Sequence, residues 1–84
     1  MTKPAKLYAQ LQANSSRIVS FRDFEALLAA AGFTHERTTG SHRHYVHRSV
    51  QAVFTVSPNR KDANGYQVRR FLAIMRDHKL SIAE

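Results

Sequence analysis

Two apolar stripes of helical period bracket a stretch of strand-like alternation. This arrangement narrows the possible folds more than any other feature of the chain. In the first stripe, Phe24, Leu27, Leu28 and Ala31 follow the i, i+3, i+4, i+7 spacing of one buried helix face, and Phe21 extends it. In the second, Val68, Phe71, Leu72 and Met75 repeat that spacing, with Ile74 beside it. Between them Ala52, Phe54 and Val56 recur at every second position, as on one face of a strand. Two one-sided helices need a shared apolar surface, and a small sheet supplies one while leaving its other face to solvent.

Local signals bound these elements. Ser20 caps the first strong helix, with Asp23 at the reciprocal position of a capping box. Gly32 supplies the left-handed residue that ends this helix, and Phe33 folds back onto it. Thr34 to Thr38 then reads as a strand, Thr39-Gly40 as a turn and Ser41 to Arg48 as a second strand. Ser49-Val50-Gln51 connects to a third strand from Ala52 to Val56. Connections this short predict antiparallel pairing. Ser57 to Asn64 reads as a polar loop, and Asn64 with Gln67 as the capping box of a helix that ends near His78, with Leu80 and Ile82 packing back.

Upstream, residues 1–14 predict a short helix with Pro4 in its first turn and a thin stripe of Leu7, Tyr8 and Leu11. So thin a stripe suggests a marginal helix that docks late or swings free. Asn14-Ser15-Ser16 breaks the chain before an extended Arg17-Ile18-Val19. The expectation is one α+β domain over 1–84: a helical extension over 1–16, then a core over 17–84 with three antiparallel strands and helices on one face.

The net charge is +7, distributed as +2 over residues 1–32, +2 over 33–56 and +3 over 57–84. A body charged throughout attracts polyanions, nucleic acid first and an acidic protein next. There is no cysteine, so disulfides, thiolate nucleophiles and cysteine zinc sites are excluded, and a reducing cytoplasm is the expected compartment. No apolar run approaches the ~20 residues of a membrane span, and Met1 to Asn14 is too polar for a secretion signal.

Four of the five histidines lie between His35 and His47, among Arg37, Arg43, Arg48 and Tyr45. Histidine offers both protonation states near neutrality, and arginine a permanent fork for phosphate oxygens. His42, beside the turn at Gly40-Ser41, is the candidate chemical centre. His42 and His44 share a face if the strand is regular, but no carboxylate besides Glu36 is near, so no metal or other cofactor is expected. If Val46 points to the core, His44 does too and is structural. Tyr45 and His47 then share the open face for substrate contact or as general acid. Arg37, Arg43 and Arg48, with Arg60 and Lys61, are the candidate phosphate holders.

Gly32-Phe33, Arg37 and Gly40-Ser41-His42, continuing through Tyr45 and His47, resemble the HicA family of toxins. Ser20 to Phe24 is similar to the family's opening helix, and Gly65-Tyr66-Gln67-Val68-Arg69-Arg70-Phe71-Leu72 to the last helix of some members. The likeness spans roughly residues 18 to 76. It implies a fold like double-stranded-RNA-binding domains (α-β-β-β-α), here with an extra N-terminal helix. It also implies ribosome-independent mRNA cleavage in a prokaryotic cytoplasm and a HicB-like antitoxin that masks the site. The family's catalytic histidine falls on His42. Many members carry a second histidine after a proline in the loop beyond the third strand, whereas here Asn59 follows Pro58.

The leading expectation is a metal-independent endoribonuclease toxin with His42 as general acid or base. Arg37, Gly40, Ser41, Arg43, Tyr45, His47, Arg48 and Lys61 would contact substrate. Two other readings stay open: an RNA-binding module of the same fold without catalysis, and a basic interaction protein for an acidic partner.

Overall fold

The computed structural model describes residues 3–83. Its elements run α1 (Pro4–Ala13), α2 (Phe21–Ala30), β1 (Thr34–Thr39), β2 (His42–His47), β3 (Val50–Val56), a short hairpin of β4 (Pro58–Asn59) and β5 (Asp62–Ala63), and α3 (Gly65–Asp77). The three long strands form an antiparallel sheet in the order β1-β2-β3. This is the expected α+β arrangement, three helices and a three-stranded sheet in the α-β-β-β-α order with one helix added in front.

Both helical stripes are buried. Phe21, Phe24, Leu27 and Leu28 of α2, Val68, Phe71 and Met75 of α3, and Tyr45, Phe54 and Val56 of the sheet belong to one apolar cluster. Phe71 lies at its centre, with ring centroids 5.8 Å from Phe24, 6.2 Å from Phe33 and 6.3 Å from Tyr8. The α2 caps form as read: the Asp23 N–H donates to Ser20 Oγ at 3.1 Å. At the other end, Gly32 at φ +95° lets the Phe33 and Gly32 N–H groups donate to the Leu28 and Ala29 carbonyls. After α3, Leu80 and Ile82 pack back on the core, as expected.

Besides β3 starting at Val50 rather than Ala52, the elements depart from the sequence reading in four places. First, α1 does not swing free. Leu7 is 2% and Leu11 0% exposed, and Tyr8 meets Phe71 edge-on. Two buried leucines contribute roughly 1.5–3 kcal/mol each, enough to hold a helix too short to stand alone. Second, residues 57–64 are no simple loop. They fold into the β4–β5 hairpin, which is docked by Phe21 N–H to the Lys61 carbonyl and Ala63 N–H to the Val19 carbonyl.

Third, Asn64 precedes α3 without a side-chain cap. Its Nδ2 donates instead to the Ser57 carbonyl, while Gln67 Oε1 accepts from the Ser57 N–H, so both amides tie α3 to the end of β3. Fourth, the β1–β2 turn is Gly40-Ser41, and Thr39 ends the strand opposite His42.

Gly32 gives the first testable consequence. A Cβ there would sit 2.9 Å from His47 Nε2, at a φ that side chains avoid. Gly32→Ala is expected to destabilise the fold by about 2–3 kcal/mol, combining left-handed strain with loss of the His47 contact to the α2 terminus. Urea unfolding measures it.

Candidate active site

Strand β2 carries the stretch on which the site depends, and its alternation sorts the side chains. Arg43, Tyr45 and His47 face α2, while His42, His44 and Val46 face away from the helices. This reverses the expected orientation of His44, Tyr45, Val46 and His47. The physical reason is Tyr45: its ring fills the core at 5% exposure, and its hydroxyl donates to Glu25 Oε2 on α2 at 2.6 Å. The smaller Val46 stays on the partly exposed side.

The correction removes two candidates from the open face. His47 Nε2 donates to the Ala31 carbonyl at 3.1 Å, and its Nδ1 accepts the Ser49 N–H at 3.0 Å. Its ring packs against Phe33, so it braces the end of α2. Tyr45 is equally fixed. Burial, reinforced by the hydrogen bond to Glu25 and that carboxylate's charge, pushes its pKa well above the usual tyrosine range. Such a phenol does not donate a proton at neutral pH.

This shift has a sign that can be checked. The unfolded chain releases the Tyr45 proton first, so the stabilisation is complete below about pH 10 and declines as pH rises further. Wild type is expected to lose urea resistance above about pH 10 more steeply than Tyr45→Phe, measured as the unfolding midpoint against pH.

Glu25 was not singled out from the sequence, yet it organises this side of the sheet. Its Oε1 accepts from Arg43 Nη1 at 2.5 Å, and the Arg43 guanidinium also lies over the Phe21 ring, 5.0 Å from its centroid. Arg43 is thus tethered to α2 rather than free for a phosphate. No spacing rule marks Glu25; only the register that brings α2 across β2 identifies it.

On the open face, His44 is held by two threonine hydroxyls, Thr55 at 2.9 Å on Nδ1 and Thr39 at 3.3 Å on Nε2. His35 is bonded to Thr38 at 2.8 Å. So three of the four histidines in this stretch are engaged, and of these four the exposed His42 ring alone has no such partner. It opens β2 directly after Gly40-Ser41. Gly40 has φ +60° and open space where a Cβ would stand, so glycine serves the turn's conformation and leaves the approach uncrowded.

Of the other candidates, Arg37 is opposite His44 in register and exposed on the same face. Arg60 and Lys61 form the hairpin tip beyond β3, whose last residue, Val56, pairs with Arg43; they therefore belong to the His42 end of the sheet. Arg60 adopts φ +59°, a costly conformation for a residue that is not glycine. Arg48 lies in the turn at the opposite end of β2, roughly 20 Å away at ~3.3 Å per residue, and does not join them.

The structure thus gathers His42, Gly40, Ser41 and Arg37 at one end with Lys61, and separates them from Tyr45, His47 and Arg48. Among the described residues no three His, Asp or Glu side chains converge, and no helix is long and apolar enough to cross a membrane.

Against known proteins, the family model for the HicA toxin of bacterial toxin–antitoxin matches residues 21–79, well over half of the chain. No curated protein and no solved structure matches.

Proposed function

The chain belongs to the HicA toxin family, and from that premise we propose that this toxin is a metal-independent endoribonuclease with His42 as its general base. The observation that supports this reading best is the contrast among the histidines. His35, His44 and His47 are committed to hydroxyls or backbone, whereas His42 stands exposed beside an uncrowded glycine turn.

In the proposed reaction, His42 takes the proton from a ribose 2′-OH. The resulting oxygen attacks the adjacent phosphorus, the bond to the 5′ oxygen breaks, and that oxygen leaves as a 5′-OH after gaining a proton. The other product carries a 2′,3′-cyclic phosphate. Only RNA has the attacking hydroxyl, which limits the reaction to RNA. Arg37 on the same face, with Arg60 and Lys61 at the same end, would hold the phosphates. His44, the next ionisable side chain on that face of the strand, would supply the leaving proton. A HicB-like antitoxin would silence the toxin by covering His42.

Incubating the purified chain with mRNA in the presence of a chelator tests the proposal. Cleavage is expected. Intact RNA with a shifted band on a native gel would instead favour a non-catalytic RNA-binding module. Binding should weaken with salt by roughly 0.7–0.9 in the log–log slope for each phosphate neutralised.

A further inference from the structure

One concavity of the molecule lies away from His42, which does not line it. It is a solvent-open groove of about 590 Å³ between α1, α3 and the turn after α3, on the helical layer rather than on the open face of the sheet. Its apolar floor includes Leu11, Leu72, Met75 and Leu80. Arg69, Arg76 and Lys79 line it as well, and no carboxylate does. One wall is α1, which lies outside the matched residues 21–79. The α3 side of the groove thus falls within the matched residues, and the α1 side, with Leu80, falls outside them.

We infer that this groove docks an acidic, leucine-bearing helical segment of the toxin's antitoxin, at a surface separate from the one that would mask His42. The inference rests on family membership, which supplies an antitoxin, and not on the cleavage chemistry. Charge complementarity and shape select the occupant. The volume lies in the ~300–1,000 Å³ range of binding pockets and admits a few side chains. A leucine seated on Tyr8, Leu72 and Leu80 leaves flanking glutamates level with Arg69, Arg76 and Lys79, the pattern of an amphipathic helix laid in a groove. A nucleic-acid backbone would satisfy the cations but would waste the apolar floor.

The test uses the full chain, isotopically labelled, and a synthetic helical peptide with leucines on one face and glutamates flanking them. NMR shifts are expected at Tyr8, Leu72 and Leu80 and not at His42. The combined substitution Arg69→Glu, Arg76→Glu and Lys79→Glu changes exposed or rim side chains and should leave circular dichroism unchanged. It should weaken the peptide at least about tenfold, since charge reversal replaces attraction with repulsion at three points. RNA cleavage by this variant should equal that of wild type. Absence of shifts at saturating peptide overturns the inference. So does equal binding of a peptide with lysines in place of the glutamates, and so does a short RNA that shifts the groove resonances more strongly. If wild type and variant both fail to cut RNA while the peptide still binds, the nuclease reading fails and the docking groove stands.

Discussion

His42→Ala is expected to slow RNA cleavage by roughly 10²–10⁴-fold and to abolish growth arrest when the toxin is induced without antitoxin. The magnitude follows from removing the group that the proposal assigns to accept the 2′-OH proton, with the cations proposed to bind phosphate left in place. The fold should survive, because the ring is exposed and joins no hydrogen bond among the described residues. Surface substitutions of this kind usually change stability by no more than about 0.5 kcal/mol. RNA binding should persist, because Arg37, Arg60 and Lys61 remain. Single-turnover rates and a gel-shift titration of the same preparation separate the two effects. Loss of binding together with cleavage would mean that His42 holds RNA rather than transforming it.

Phe71→Ala is expected to have the largest effect on stability, about 3–5 kcal/mol. That is a large part of the roughly 5–15 kcal/mol available to a small domain. Phe71 is fully buried, and its ring meets Phe24 on α2, Phe33 at the entry to β1 and Tyr8 on α1. A cavity here loosens the helical layer and its seat on the sheet together, and it takes from α1 one of its few aromatic contacts. Thermal and urea unfolding should show a single lowered transition. A normal midpoint in this variant would mean that the core is not organised around α3 as described.

The fold was largely legible because its signals are local. Ser20 and Asp23 cap α2, Gly32 ends it, and the two stripes bury as their spacing predicts. Non-local facts were not legible. Which side of β2 faces the helices was decided by competition between Tyr45 and Val46 for the core. Tyr45 won because Glu25, distant in sequence, accepts a hydrogen bond from its hydroxyl. The same carboxylate draws Arg43 away from the phosphate set, and nothing in the spacing of residues announces it.

The β4–β5 hairpin was hidden because Arg60, a poor residue for positive φ, stands where a turn glycine would be looked for. Asn64 and Gln67 matched a capping pattern, yet Ser57 at the end of β3 offered both amides better partners. For α1, the stripe was read correctly, but its docking depended on a floor that only the assembled helices create.

Analysis of the RNA ends produced by the purified chain in chelator tests the central claim most directly. The proposed chemistry predicts 2′,3′-cyclic phosphate and 5′-OH ends, and no cut where the 2′-OH of the scissile nucleotide is replaced by hydrogen. Cleavage at that deoxy position, or products with 3′-OH and 5′-phosphate ends, would contradict it.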